Sequence, residues 1–441
     1  MASLNKNRKL TQADILSMSH EGRGVAKVNG KTTFIHNALE SERVMFYYTH
    51  KKRNFNQGHA VEITDPSPQR VAPICPHYEL CGGCNLQHWQ HQQQIIHKQA
   101  VLAEHLRHFA ASTPAQWLPP IIGPTSAYRH KARLGVRHVP GKGDVLVGFR
   151  ERNGRYITDI TSCAILHPSV GEKIVPLRQL ISQLSLRNEI AQIEVAVGDK
   201  RSALIFRHLA AFSDDDLQKL SAFAQTHCFD IYLQPGKPNT IHKFYPKDNH
   251  PERLSMSLET HGIEILFHPA DFTQINPSIN KKMIAQALSL LELNKQHCVL
   301  DLFCGIGNFS LVLAKYAGQV TGVEVSDDMV KRAYENARHN QLENVAFYQA
   351  DLNKEIHHHT WARQSYDAIL LDPPRSGAAA LLEHIEPFKA AKIVYVSCHP
   401  ATLARDTAIL IKKGYQLKKA GIMDMFPHTA HVESIALFEK Q

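Results

Sequence analysis

The stretch His297–Ser326, HCVLDLFCGIGNFSLVLAKYAGQVTGVEVS, decides the fold. An apolar run, a glycine-rich turn, a run with helical spacing and a second apolar run read as strand, turn, helix and strand. That is a βαβ unit of a doubly wound sheet. The first strand ends at Asp301-Leu302-Phe303, and Gly305 and Gly307 let a ligand approach the backbone closely. Glu324 ends the second strand, where a carboxylate can accept from both hydroxyls of a ribose. A dinucleotide site needs G-x-G-x-x-G for its pyrophosphate, but Ser310 stands at the third glycine position. Asp301, the G-x-G turn and Glu324 together fit S-adenosylmethionine, which has no pyrophosphate.

Toward the C-terminus, NVAFYQADL (344–352) predicts a third strand with Asp351 at its tip, placed to meet an adenine. YDAILLDPPRSG (366–377) predicts a fourth that ends at Asp372, and KIVYVSC (392–398) a fifth that ends at Cys398. HVESIALFEK (431–440) reads as a late strand. Ligands of open α/β sheets sit at the carboxyl ends of the strands, so Cys398 stands at the lip of the expected site. A helical pattern follows at Pro400, and its N-terminus is expected to lower the pKa of the thiol.

Toward the N-terminus, CPHYELCGGCNLQH (75–88) places Cys75, Cys81 and Cys84 as C-x5-C-x2-C. Three thiols folded together by two glycines predict a metal or cluster site with one position open. Cys163, in ITDITSCAILHP (157–168), is the best fourth ligand. Spacing alone leaves tetrahedral zinc and a [4Fe–4S] cluster both open. Residues 10–65 alternate short β-rich runs with turns and interleave Lys, Arg and aromatic residues, which predicts a small five-stranded, OB-like barrel able to hold nucleic acid. TDPSPQRVAP (64–73) is a linker. The Gln/His-rich segment that follows predicts a long helix at about 87–119 with a solvated polar face, which can pack on the C-terminal domain. Arg129, Lys131, Arg133 and Arg137 alternate along one strand and can line a nucleic-acid groove.

The chain has 441 residues, 43% of them hydrophobic and 21% charged, enough for about two or three soluble domains. No apolar run approaches the ~18 residues of a membrane span, and the N-terminus lacks a signal peptide's apolar core. A cytoplasmic protein with no membrane contact is expected. Its formal net charge of +9 favours a polyanionic partner. In that compartment eight cysteines argue against a disulfide framework.

The motifs CPHYELCGGCNLQH, DFTQINPSIN, LDLFCGIGNFSL, LDPPRSG, VSCHPATLARD and HVESIALFEK resemble those of the bacterial RNA (uracil-C5)-methyltransferases, most of all those acting on 23S rRNA. The resemblance covers nearly the whole chain. It implies an N-terminal TRAM β-barrel (1–66), a mixed α+β central domain bearing a [4Fe–4S] cluster on Cys75, Cys81, Cys84 and Cys163 (67–270), and an α/β Rossmann-like methyltransferase domain (271–441). It also implies cofactor contacts from Gln274, Phe303, Asn308, Glu324, Asp351 and Asp372, with Cys398 as nucleophile and Glu433 as base. The implied substrate is a flipped uridine in a 23S rRNA loop, and a monomer is expected. Relatives acting on transfer RNA are expected to lack both the barrel and the cluster. The chemistry separately asks for such residues: uracil C5 is a poor nucleophile until a thiolate adds at C6. The alternatives are an enzyme acting on two rRNA positions or on tRNA, a methyltransferase for a small molecule or protein, and a non-catalytic RNA-binding iron–sulfur protein.

Overall fold

The computed structural model describes residues 9–140, 144–152, 154–247 and 252–441. Residues 1–8 of the expected N-terminal domain lie outside the described residues. The C-terminal part is a twisted sheet of seven strands: β1 (Cys298–Leu302), β2 (Gln319–Glu324), β3 (Val345–Gln349), β4 (Ala368–Leu371), β5 (Lys392–Ser397), β6 (Tyr415–Met423) and β7 (Glu433–Lys440). Their order is 3-2-1-4-5-7-6, with the two-residue strand Gln116–Trp117 added beyond β6. The first five run parallel, and β7 is antiparallel to both its neighbours. The strand order reverses between β1 and β4, so a crevice opens above their carboxyl ends.

The helices that cover this sheet include α1 (Pro277–Leu291), α2 (Ser310–Tyr316), α3 (Asp327–His339) and α4 (Pro400–Lys412). Local chemistry sets their starts. Asn276 Oδ1 accepts from Ile279 N at 3.3 Å, and His399 Nδ1 accepts from Thr402 N at 3.3 Å. Asp327 and Asp328 place negative charge in the first turn of α3, against the helix dipole. The strands β4 and β5 are buried almost throughout because helices lie on both faces. On one face Met283, Val312 and Val330 pack together with the hairpin Leu254–Leu258/Ile263–Phe267. On the other face Leu102 and Leu106 of the His91–Ala110 helix pack with Leu403 and Leu410 of α4.

That long helix is shorter than the expected 87–119. Residues 85 and 86 spend their amides on His428 O, both at 2.9 Å. At the other end Ala111 turns left-handed at φ 46°, and the chain then pairs with β6. Its polar face is solvated only in part, at Gln92, Glu104, Arg107 and His108. Gln94 and Lys98 are fully buried. Gln94 Nε2 donates to Leu86 O and Trp89 O at 3.0 and 2.8 Å, and its Oε1 accepts from His428 N at 3.0 Å.

The N-terminal sheet has six strands, not the expected five, because the first β-run breaks at Ile15-Leu16 into Thr11–Asp14 and Ser17–Met18. Those two pieces form opposite edges of the sheet. With two residues between them, the sheet must curl on itself, and Ile15 N and Leu16 N donate to Glu42 O and Val25 O at 2.9 and 2.8 Å. Ile15, Ala26, Ile35, Val44 and Phe46 fill the interior. A second six-stranded sheet lies between, in the order His242–Tyr245, Phe229–Gln234, Ser202–His208, Ile190–Val197, Lys131–Val139, Asp144–Gly148. On its strand 131–139, Arg133 and Arg137 are exposed while Ala132, Leu134 and Val136 face the core, as the alternation predicts. Lys131 departs from this pattern. Its Nζ donates to Pro269 O at 2.7 Å and to Asp271 O, fixing the turn that leads to Gln274. Among the described residues no helix is long and apolar enough to cross a membrane.

Candidate active site

The glycine turn after β1 is wound by local strain and by acids. Phe303 adopts φ 67°, and Gly305 and Gly307 follow at 57° and 94°. Phe303 N and Cys304 N donate to Val323 O at 2.9 and 3.1 Å. Ser310, at the missing third glycine, donates its hydroxyl to Asp301 Oδ2. Asp301 is fully buried, its Oδ1 has no partner among the described residues, and burial pushes its carboxyl up to about 7. Glu324 Oε2 accepts from Gly305 N at 3.1 Å, and Oε1 from Val325 N and Ser326 N at 2.8 and 3.0 Å. Glu324 therefore both shapes the turn and keeps further lone pairs for a ligand's hydroxyls.

The remaining sequence candidates divide. Gln274 Nε2 lies 3.4 Å from Asp372 Oδ2, so residues 98 positions apart meet above β4. Asn308 is paired amide to amide with Asn280 of α1, at 2.9 Å in both directions. The sequence reading missed Asn280 although it closes the DFTQINPSIN motif. Asp351, two residues past β3, accepts from Asn353 N at 3.1 Å and sits 3.4 Å from Lys354 Nζ, more open to solvent than the other acids.

Cys398 and Glu433 meet through strand register. The pairs Val396↔Ile435 and Ser397↔Ser434 run to the end of β5, so the next residues, Cys398 and Glu433, stand opposite each other at the sheet edge. The thiol does not have the low pKa expected from the helix behind it. Burial, then the Glu433 and Asp372 carboxylates, push it up to about 11, with Arg375 opposing them. Burial and Asp372 likewise push Glu433 up to about 8, opposed by Arg375 and Lys98, and burial alone takes Asp372 to about 7. The sequence reading weighed only the local dipole, and desolvation outweighs it here.

Cys398 and Arg375 open onto a cleft of about 880 Å³. Cys398 and Arg375 form one wall, Arg23 and His36 of the N-terminal sheet another, and Gly83 and Arg152 a third. Burial, with Arg152 and Arg23 nearby, holds His36 neutral at a pKa of about 3, so arginines carry the positive charge of the cleft.

Cys75, Cys81, Cys84 and Cys163 line one small cavity of about 20 Å³, beside Tyr78 and Gln87. Burial and the neighbouring thiols push Cys84 up to about 12, and burial raises Cys81 and Cys163. Arg152 Nη2 braces this loop by donating to Tyr78 O and Cys84 O at 2.7 and 2.8 Å. Among the described residues no three His, Cys, Asp or Glu side chains converge tightly enough to hold one metal ion.

The sheet order, the acid-flanked glycine turn and the crevice at the switch point define a methyltransferase of the doubly wound class. Residues 90–441 match the family described as tRNA (Uracil-5-)-methyltransferase, and the chain belongs to this family. It is 52% identical to the 23S rRNA (uracil(1939)-C(5))-methyltransferase RlmD of Alcanivorax borkumensis, over 97% of this chain and 96% of that one. It is 50% identical to the protein of the same name from Hahella chejuensis, over 99% of each. The crystal structure of the Pyrococcus abyssi tRNA (uracil-54, C5)-methyltransferase in complex with S-adenosyl-L-homocysteine shares the fold, with a TM-score of 0.73 and 22% identity, over 97% of this chain and 99% of that one. This corrects the expectation that relatives named for tRNA lack the N-terminal parts.

With its thiol held near 11, Cys398 should alkylate slowly at neutral pH. The rate, read by mass spectrometry of its own peptide after iodoacetamide pulses, should keep rising to about pH 10. A plateau below pH 8 would show a resting thiolate instead.

Proposed function

We propose that this protein transfers the methyl group of S-adenosylmethionine to C5 of one uridine in 23S ribosomal RNA, through a covalent bond between Cys398 Sγ and uracil C6. The observation that carries this is the pairing of Ser397 with Ser434, which brings the carboxyl of Glu433 close to the Cys398 thiol in the wall of the cleft. The near-full-length relatives at about half identity support 23S rRNA as the substrate. S-adenosylmethionine supplies an electrophilic sulfonium methyl. Glu324 would take its ribose hydroxyls and Asp351 its adenine. Phe303 and Asn308 would lie along the glycine turn, and Gln274 and Asp372 at its methionine end.

Cys398, once deprotonated, adds to C6, and the electron pair of the C5–C6 double bond moves toward C5, which takes the methyl group as the S–CH3 bond breaks, its electron pair staying on the sulfur of the departing S-adenosylhomocysteine. Glu433 as carboxylate then removes the C5 proton. The electrons of that bond restore the double bond as the thiolate leaves. A half-buried thiol in the wall of a cleft cannot reach a stacked base, so the target uridine is read as flipped. The curled N-terminal sheet is assigned as a TRAM domain that grips the surrounding RNA. It offers Tyr48 and Phe55 with Lys51 and Lys52 at 4.5 and 5.2 Å from the ring centres, suited to bases and phosphates. The division into parts 1–66, 67–270 and 271–441 follows these roles.

The four cysteines are assigned to a [4Fe–4S] cluster. They ring a common cavity, and four thiols around one centre suit a multi-iron cluster. Bound iron would also offset the burial that otherwise holds Cys81, Cys84 and Cys163 toward the protonated form.

Cys398→Ala should lower methyl transfer to a 23S rRNA fragment by at least about a thousandfold while retaining S-adenosylmethionine binding. Glu433→Gln should instead accumulate a denaturation-stable protein–RNA adduct. Substantial turnover by Cys398→Ala would overturn the covalent route. For the cluster, anaerobically purified protein should contain iron and sulfide in equal amounts and absorb near the blue edge of the visible. Cys163→Ser should lose both signals, and one tightly held zinc in their place would overturn the assignment.

A further inference from the structure

We infer that Lys98, paired with Asp424, is a positioning residue for Glu433: the pair stands behind the base, and the balance of its two charges sets how readily Glu433 takes the proton from C5. This deepens the assignment of Glu433 as base and rests on it.

Lys98 belongs to the His91–Ala110 helix, far in sequence from the doubly wound unit, yet its side chain is fully enclosed. Its Nζ donates to Asp424 Oδ1 at 2.6 Å and to Phe426 O at 3.1 Å. The second carboxylate oxygen, Oδ2, accepts from His91 Nε2 at 2.7 Å. Asp424 directly follows β6, whose last residue, Met423, pairs with Glu433 across the sheet. The pair therefore abuts the first residue of β7. Attraction between Lys98 and Glu433 is felt by both groups. Two of the three ammonium hydrogens are spent on Asp424 and Phe426, and the positive charge still acts on Glu433.

A buried ion pair adds little stability compared with apolar residues of similar volume, so stability alone does not account for a lysine here. The groups that face Glu433 give it a use. Burial and Asp372 oppose its ionisation, and Arg375 and Lys98 favour it. Arg375 is exposed on the cleft wall, where incoming RNA phosphates compete for its charge. Lys98 is closed off from the cleft and keeps its effect while substrate is bound. His91, His428 and His431 complete the shell around Lys98 and Asp424; burial lowers the pKa of His428 and His431.

The charge pair predicts opposite effects for its two halves, which a merely structural role does not. The experiment measures decay of the protein–RNA adduct in single turnovers against pH, using the full chain and a 23S rRNA fragment. In Lys98→Met the acidic limb should move up by roughly one pH unit, near tenfold slower decay at the lower pH values. Lys98→Arg should restore it. Asp424→Asn keeps a hydrogen bond to Lys98 but leaves its charge unbalanced, and the limb should move down. S-adenosylmethionine affinity should stay unchanged in all three. Limbs that move in the same direction, or do not move, overturn the inference. Should Lys98→Met fail to fold, Asp424→Asn decides alone, and a limb that stays or rises overturns the inference. Glu433→Gln separates the two levels. Adduct decay at the normal rate in that variant removes Glu433 as base. Persistent adduct there, with limbs unmoved by Lys98 and Asp424 changes, removes only the role of the pair.

Discussion

The antiparallel insertion of β7 between β5 and β6 is the constraint on which the site depends. In a wholly parallel sheet each strand would bring only its own carboxyl end to the crevice. Reversing β7 brings its beginning there instead, so Glu433 arrives beside Cys398 although 34 residues separate them. A slip of one residue would turn Glu433 to the opposite face. The buried run Ser434–Phe438, with neighbours on both sides, resists that slip. The same edge receives the His91–Ala110 helix and the Gln116–Trp117 strand, so the segment after the cysteine loop is built into the catalytic layer.

Burial governs the electrostatics that follow. Asp301, Asp372, Glu433 and Cys398 all lie where their charged forms are poorly solvated, and each is held toward its neutral form. Positive charge brought into such a pocket shifts all of them together toward ionisation. Arg375 already acts in this sense on both Cys398 and Glu433. The same logic holds at the cysteine loop, where burial above all holds Cys81, Cys84 and Cys163 toward their neutral forms.

The parts of the fold legible in the sequence were those written in local chemistry. The G-x-G turn, the acids at strand tips and the cysteine at the end of β5 all follow from periodicity and turn residues within the successive strands and their turns. Four features needed tertiary contact. Asn308 found its partner in Asn280, 28 residues away. Lys98 and Gln94 looked like a solvated helix face, and only packing against the 424–428 segment buries them. The sixth strand of the N-terminal sheet appears because closure splits one β-run in two. The thiol pKa was misjudged because a helix N-terminus is visible in sequence, whereas desolvation by distant walls is not.

The central claim is that Cys398 bonds to uracil C6 and that loss of the C5 proton frees it. A 23S rRNA fragment carrying 5-fluorouridine at the target tests both halves at once, because fluorine at C5 cannot leave as a proton. Incubation with S-adenosylmethionine should give a stoichiometric complex that survives denaturation, and mass spectrometry should place the methylated, fluorinated base on the Cys398 peptide. Turnover of the fluorinated RNA without a trapped complex, or a bond to another residue, would contradict the account.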